Sequence, residues 1–416
     1  MSGAPALLAA AAGRERFDTT SWLVAGLCAA VAFLDGFDTQ SLAPAAKSIA
    51  DSLGVTMSAF GPIFSASQIG FLVGAFAFGS LGDRFGRKRL LGLAALVFGL
   101  STLATAFADS YGALFLARIL AGVGLGGATP NFVALASEFS PQRLRARVVT
   151  CLWAAVPLGG MAGAFASALI LPRFGWQAIF LLGGATPVAI AAVLFAALPE
   201  SAEAGAQATR GAASGRLADL FSEGRAASTA WLWLASFMTW TVLIVMSFWT
   251  PPLLQRSGWS APSAAQILAL NNAGGVVGTL LLGAALTRLR PQAALAGALV
   301  GAAIFLAAMG AAVANPALVA VAALLAGFCA SAAGGAMLAV SAAAYPPAAR
   351  STGVGWALGV GRIGAVIGPS AAGLLVARAW PVNAIYLAIA APAVLAAIFV
   401  LLLSRTAAFA RLQPSA

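Results

Sequence analysis

The chain has 416 residues, of which 61% are hydrophobic and 8% charged, and its mean hydropathy is +0.95. Soluble domains are not built from so apolar a sequence, and apolar runs of about 18 or more residues predict membrane-spanning helices. The net charge of +11 would suggest nucleic-acid binding in a soluble protein, but the basic residues here flank apolar runs, so no nucleic-acid partner is predicted. The chain has no histidine, and its three cysteines lack metal-ligand spacing, so no metal is expected. The two G-x-G-x-x-G strings, 122–127 and 359–364, lie inside apolar runs with no preceding strand, so helix packing is favoured over nucleotide binding and no cofactor is expected.

Twelve apolar segments are long enough to cross a bilayer. Two six-span halves, residues 21–198 and 229–404, are predicted, with a polar linker at 199–228 and tails at 1–20 and 405–416. The predicted fold class is therefore an all-α membrane protein with twelve transmembrane helices in two six-helix bundles. The predicted spans are 21–44, 58–81, 89–108, 111–137, 147–171, 175–198, 229–254, 262–287, 291–313, 316–343, 351–377 and 380–404.

The basic residues predict how these spans are oriented. If the N-terminus is cytoplasmic, seventeen of the 23 Lys and Arg residues lie on the cytoplasmic side, four lie on the other side and two lie within spans. Positive charge concentrates on the cytoplasmic side of membrane proteins. Both termini are therefore predicted to be cytoplasmic.

A weak internal repeat relates the two halves. The segment from Gly79 to Arg84 recurs loosely from Gly283 to Arg288, 204 positions later. Two further matches follow at nearly the same offset, Ala121-Gly122 with Ala326-Gly327 and Trp153 with Trp356. Such repeats are typical of secondary transporters. They predict two bundles related by a pseudo-twofold axis along the membrane normal, with a substrate cavity between them.

Four charged residues lie inside spans: Asp35, Asp38, Arg118 and Arg362. A charge at this depth costs several kcal/mol unless it is protonated, paired or hydrated, so each predicts a functional site. Asp35 and Asp38 lie three residues apart, on one helix face, and are predicted to handle the coupling proton. These residues favour a membrane transporter over an enzyme, since the sequence has no nucleophile–base or metal constellation.

The two arginines are predicted to bind substrate. Arg118 lies at about the same depth as Asp38, so the two could pair across spans 1 and 4, and a purely structural ion pair is the alternative. Arg362 has no carboxylate within the spans of its own half, so a substrate carboxylate is its predicted partner. Contact with backbone carbonyls or cavity water is the alternative for Arg362.

The turn between spans 2 and 3 carries a recognisable motif. Residues 79–89 read GSLGDRFGRKR, which resembles the signature loop of the major facilitator superfamily. The alternative is a generic basic loop that obeys the positive-inside rule. The segment 137–147 resembles the second cytoplasmic signature of the same superfamily. A solvated charged loop is an equally good explanation for any single residue there. A cytoplasmic gate is predicted from four charged residues: Asp83, Arg84, Arg87 and Glu138.

A closer resemblance covers the whole chain. The run Asp35-Gly36-Phe37-Asp38-Thr39, Arg118 with the segment 122–131, and Gly361-Arg362-Ile363-Gly364 resemble motifs of the aromatic acid:proton symporter family. The resemblance implies proton-coupled import of a small benzoate-like or hydroxybenzoate-like acid by a monomer in the bacterial inner membrane. The proton would be the coupling ion and the lipid bilayer the only other partner. Proton-driven efflux of drugs or organic acids and a non-transporting membrane sensor are the alternatives.

Several uncharged side chains are further candidates for substrate contact. Their alternative roles are hydrogen bonding and packing between helices. Trp356 ranks first among the aromatic residues, because it lies almost two turns from Arg362 on the same span. The other candidates are Phe37, Asn131, Asn271 and Asn272.

Overall fold

The structure, a computed structural model, describes residues 17–197, 217–285, 290–346, 349–407 and 409. Within these ranges all regular structure is helical. The side chains of Ser80, Asp83, Arg84, residues 282–285 and Ser351 lie outside the description.

Eleven helices in the described ranges are long and apolar enough to cross a membrane. The fifth is 53 residues long and is interrupted at Gly175, whose φ of 77° is not helical, so it holds both predicted spans 5 and 6. The predicted all-α membrane fold is confirmed. The helices are α1 (Thr19–Leu53), α2 (Phe60–Phe85), α3 (Arg87–Ala106), α4 (Tyr111–Glu138), α5 (Arg145–Ala197), α6 (Ala226–Arg256), α7 (Ala261–Ala285), α8 (Pro291–Ala311), α9 (Pro316–Ala343), α10 (Arg350–Ala377) and α11 (Val382–Ser404).

Helix α1 is longer than its predicted span, which ended at residue 44. The Asp18 side chain caps its N-terminus by accepting a hydrogen bond from the Ser21 amide at 2.7 Å, and Gly54, in the left-handed region, ends it. The last turns are amphipathic, because Ile49 is buried while Lys47 and Asp51 are exposed. Hydropathy detects only the uniformly apolar part of such a helix. The exposed polar residues after residue 44 lower the mean hydropathy, so the end of α1 was not predicted.

The chain forms two compact units. One lies within Met1–Val55 and Ala66–Ala212, the other within Thr56–Ser65 and Ala213–Ala416. In the first unit, α1 packs on α5, and α3 packs on α4 and α5. In the second unit, α7 and α8 pack on α9, and α6 and α8 pack on α11, while α10 packs on α6. Each unit can therefore be compared with the other helix by helix.

Close backbone contact between helices recurs in both units. A Cβ atom added to Gly70 of α2 would lie 2.0 Å from the Ile119 carbonyl oxygen of α4. A Cβ atom added to Gly274 of α7 would lie 1.9 Å from the Leu324 carbonyl oxygen of α9. The two contacts are offset by 204 and 205 positions, so the internal repeat holds at the level of backbone atoms. Glycine is required at these crossings because any side chain would separate the helices.

A second pair of crossings fixes the register of the helices that carry the candidate site. A Cβ atom added to Gly159 of α5 would lie 1.8 Å from the Phe33 carbonyl oxygen of α1. The matching distance in the second unit is 2.2 Å, from Gly364 of α10 to the Phe237 carbonyl oxygen of α6. Position 36 therefore corresponds to 240, and 157 to 362. The sequence match of Trp153 with Trp356, 203 positions apart, is two residues out of this register.

Candidate functional site

A buried ion pair joins α1 and α4 in the first unit. Arg118 of α4 is 1% exposed and Asp38 of α1 is 3% exposed. The Arg118 Nη1 lies 3.0 Å from Asp38 Oδ2 and 3.3 Å from Oδ1. The predicted contact between these residues is confirmed.

Two threonines of α3 complete this pair. Thr105 Oγ1 accepts from Arg118 Nη2 at 2.8 Å and from Nε at 3.1 Å, while Thr102 Oγ1 donates to Asp38 Oδ1 at 2.9 Å. The Phe180 ring lies 5.4 Å from the guanidinium carbon. Burying an ion pair is unfavourable unless further hydrogen bonds satisfy both charges, which the threonines do here. Sequence reasoning missed these threonines, although hydroxyl side chains inside span 3 were a visible signal.

Asp35 has different surroundings from Asp38. It is only partly buried, and Thr39 Oγ1, one turn along α1, donates to its Oδ1 at 3.4 Å. Residues three apart point about 60° apart around a helix, so Asp35 is rotated away from the direction in which Asp38 meets Arg118. Asp38 is therefore held in a buried ion pair, whereas Asp35, which was predicted to act together with it, lies in a more accessible position.

Gly36, between these acids, holds α1 against α5. A Cβ atom there would lie 1.8 Å from the Val156 carbonyl oxygen, and backbone cannot move aside cheaply. Gly36→Ala should therefore lower the free energy of unfolding by about 1–3 kcal/mol or prevent folding, as overpacking does. The measurement is thermal unfolding of the purified protein in detergent.

Gly26→Ala is the matched control for that variant. Gly26 lies on the same helix, and an added Cβ atom would meet nothing within 4 Å. Its unfolding temperature should be unchanged or slightly higher, since alanine favours helix over glycine. Equal unfolding temperatures for Gly36→Ala and the wild type would contradict the packing role of Gly36.

In the second unit, an arginine lies over an indole ring. The guanidinium carbon of Arg362, on α10, lies 4.4 Å from the ring centroid of Trp240, on α6. Both side chains are partly buried. Trp240 is one of several aromatic residues within spans that the sequence offers for ring contact, and the sequence ranked Trp356 above it.

Trp356, ranked first from the sequence, lies elsewhere. Its ring stacks on Trp233 with 5.7 Å between centroids, and it is 44% exposed. Six residues along a helix amount to a rotation of about 120° from Arg362, so nearness in sequence does not bring the two side chains to one face. Trp240 therefore takes the place beside Arg362 that the sequence assigned to Trp356.

Comparison with known proteins identifies the family. The family model described as Major Facilitator Superfamily matches residues 28–314 and 273–415. The chain belongs to the major facilitator superfamily, in its aromatic acid transporter family. The 4-hydroxybenzoate transporter PcaK of Acinetobacter baylyi is 34% identical over 418 residues, which cover 93% of this chain and 92% of that protein. The 3-(3-hydroxy-phenyl)propionate transporter of Escherichia coli K12 is 36% identical over 400 residues, covering 95% and 96%.

Solved structures agree on the fold of this superfamily member. A D-xylose-proton symporter matches with a TM-score of 0.78 at 18% identity, over 92% of this chain and 97% of the other. A bacterial homologue of the human lysosomal transporter Spinster also gives 0.78, at 20% identity, covering 96% and 99%. At these identities the likeness establishes the major facilitator fold.

The superfamily's signature loop forms the turn between α2 and α3. Gly86 has a φ of 97°, which glycine adopts without strain, and this conformation allows the tight turn. Arg87 Nη1 lies 2.5 Å from Glu138 Oε1, which ties the start of α3 to the end of α4. The other two predicted gate residues, Asp83 and Arg84, have side chains outside the described residues.

Asn131 and Phe37, predicted to contact substrate, pack between the helices of the transporter's first unit. Asn131 Nδ2 donates to the Gly127 carbonyl at 2.8 Å and to the Phe78 carbonyl of α2 at 3.4 Å. Phe37 is buried, and its ring would lie 3.3 Å from a Cβ atom added to Gly183. Both side chains serve helix packing in this structure, and neither is used in the function proposed below.

The asparagines of the second unit make similar contacts. Asn271 Nδ2 donates to the Ala323 carbonyl of α9 at 3.0 Å. Asn272 Nδ2 donates to the Leu268 carbonyl of its own helix at 2.9 Å. Such hydrogen bonds between side-chain amides and backbone carbonyls are common inside membrane proteins.

Proposed function

We propose that the protein imports an aromatic carboxylate together with a proton. The relatives named above transport 4-hydroxybenzoate and 3-(3-hydroxy-phenyl)propionate, and a gallate transporter of Pseudomonas putida is 33% identical over 408 residues. These substrates share one aromatic ring and one carboxylate. The observation that carries the proposal is the Arg362 guanidinium, set against the Trp240 ring inside an apolar helix of the second unit.

Arg362 is the proposed carboxylate receptor. A guanidinium is permanently charged, and its planar fork of N–H groups matches the two oxygens of a carboxylate. The Trp240 ring lies against the guanidinium and carries no net charge, so it does not neutralise the cation that a carboxylate would bind. Arg118 is less suited to this task, since Asp38 and Thr105 already accept from its nitrogens.

Asp35 is the proposed proton carrier. Asp38 is fixed as the carboxylate partner of Arg118, and protonating it would leave the buried guanidinium without its counter-charge. Asp35 is partly exposed, whereas Asp38 is buried in its ion pair, so Asp35 is the more accessible of the two to a proton from water. Asp38 and Arg118 then hold α1 and α4 in place around it.

Transport would follow from differential affinity. Binding of the proton and the carboxylate shifts the carrier toward its inward-open state only if both ligands bind that state, or the transition state leading to it, more tightly than the outward-open state. Coupling further requires that the empty carrier returns and that a half-loaded carrier does not. The protein would act as a monomer in the bacterial inner membrane with both termini cytoplasmic, and it would need no cofactor besides the coupling proton.

A thermal-shift panel on the purified protein tests the substrate class. Benzoate and 4-hydroxybenzoate should raise the unfolding temperature, because a ligand at 100 times its Kd stabilises the folded state by about 2.7 kcal/mol. The uncharged 4-hydroxybenzamide, xylose and a cationic drug should not. Stabilisation by the cationic drug and by none of the aromatic acids would contradict the proposal and favour an efflux transporter.

A further inference from the structure

We infer that Trp240 is the positioning residue for the Arg362 guanidinium. We further infer that Gly361, which lacks a side chain, leaves the space that the Trp240 indole occupies. The three residues are called the Arg362 cluster below. This inference rests on the proposed function, since it assigns specificity within the same carboxylate site.

The contacts within the Arg362 cluster are close. The guanidinium carbon lies 4.4 Å from the Trp240 centroid. A Cβ atom added to Gly361 would lie 2.3 Å from Trp240 Cδ1, 2.7 Å from Ser236 Oγ and 3.0 Å from Trp240 Nε1. Any side chain at position 361 would therefore push the indole away from its present place, and with it the ring that lies against Arg362.

The internal repeat shows that these three positions differ together between the units. In the register fixed by the glycine crossings, Trp240 corresponds to Gly36, while Gly361 and Arg362 correspond to Val156 and Pro157. In the first unit the small residue is on α1 and the larger one on α5. In the second unit the larger residue, Trp240, is on α6 and the small one, Gly361, is on α10, where Arg362 follows it directly in the sequence. A reversal that brings an indole against a guanidinium points to one functional cluster rather than to packing alone.

The physical role of the indole is to restrict the arginine. An arginine side chain has many rotamers, and ordering it opposes binding. A cation–π contact with tryptophan restricts the guanidinium without neutralising its charge. The carboxylate then meets a preorganised fork, which favours planar aromatic carboxylates over neutral analogues.

Hydrogen bonding does not explain why the indole lies there. Trp240 Nε1 is buried, and none of the described residues accepts its hydrogen bond. The indole ring contacts Gly361 and Arg362, so the inference assigns its role to the ring face. Phenylalanine, which keeps an aromatic face, should therefore substitute for Trp240 better than leucine.

The first test compares Trp240→Leu with Trp240→Phe in uptake of labelled 4-hydroxybenzoate. Trp240→Leu should raise KM about tenfold with little change in kcat, since the lost contact corresponds to a cation–π interaction. Trp240→Phe should stay within about threefold of the wild-type KM. A role in folding alone would lower the amount of active protein and kcat without changing KM. Wild-type KM in Trp240→Leu would overturn the inference.

The second test uses Gly361→Ala, with Gly359→Ala as its matched control. Gly359 lies on the same helix, and an added Cβ atom would meet nothing within 4 Å. Gly361→Ala should raise KM about as much as Trp240→Leu does, and Gly359→Ala should not. The effect of Gly361→Ala should be much smaller in the Trp240→Leu background, where only the contact of the added Cβ atom with Ser236 Oγ, at 2.7 Å, remains. Full additivity would overturn the inference. If Trp240→Leu does not accumulate in the membrane, Gly361→Ala and Trp240→Phe decide.

The two levels of proposal fail in different ways. Absence of saturable 4-hydroxybenzoate uptake by the wild-type protein would overturn both the proposed function and the inference built on it. Saturable uptake that is equally strong in the wild type and in Trp240→Leu and Gly361→Ala would overturn only the inference.

Discussion

Asp35→Asn is expected to abolish accumulation of 4-hydroxybenzoate against its gradient while preserving exchange of labelled for unlabelled substrate. Asparagine cannot take up a proton, so the loaded carrier can still move substrate but the proton gradient no longer drives net uptake. With one proton per substrate, the wild type should accumulate substrate about tenfold for each unit of pH difference. The variant should equilibrate substrate at most.

Proteoliposomes with an imposed pH gradient give the measurement. Asp51→Asn is the matched control, because Asp51 lies on the same helix with its side chain 69% exposed and should leave accumulation unchanged. Asp35→Glu keeps a titratable group and should retain part of the coupling. Accumulation by Asp35→Asn equal to that of the wild type would remove Asp35 from the coupling step.

Asp38→Asn is expected to destabilise the folded protein strongly. It leaves the Arg118 guanidinium, 1% exposed, without its counter-charge, which costs about 3–5 kcal/mol in other buried pairs. The double variant Asp38→Asn with Arg118→Met removes the stranded charge and should recover much of that loss. The exposed pair Lys47–Asp51, at 3.8 Å, offers a contrast, since Asp51→Asn should cost about 0–1 kcal/mol.

Thermal unfolding in detergent of five proteins separates the possibilities: the wild type, Asp38→Asn, Arg118→Met, the double variant and Asp51→Asn. The coupling between the Asp38 and Arg118 substitutions, obtained from the double-mutant cycle, should be large and favourable to the native pair. Equal destabilisation by Asp38→Asn and Asp51→Asn would show that the buried pair is not what holds α1 to α4.

The fold and the depth of the charges could be predicted from the sequence for simple reasons. Hydropathy locates uniformly apolar spans, and a charge inside such a span is visible without a structure. Depth can be counted at a fixed rise per residue, and so the contact of Asp38 with Arg118 could be anticipated.

Rotation about a helix axis could not be read in the same way. Whether Trp240 or Trp356 lies beside Arg362 depends on which helix faces which, and nearness along one helix does not predict it. The hydrogen-bond partner of the Asn271 amide could not be predicted for the same reason. It is a backbone carbonyl of α9, and every residue carries a backbone carbonyl, so no residue type identifies it. The amphipathic end of α1 was missed because its exposed residues lower the hydropathy of the window.

Simultaneous recording of proton and substrate entry tests most directly whether the two move together. Proteoliposomes would contain a pH-sensitive dye, and labelled 4-hydroxybenzoate would be added outside without an imposed gradient. Protein-free liposomes would correct for the small fraction of acid that crosses lipid in its neutral form. We predict that the interior acidifies in step with label entry for the wild-type protein, and that Asp35→Asn shows no such acidification. Label entry through the wild-type protein with no more acidification than in protein-free liposomes would contradict proton-coupled import.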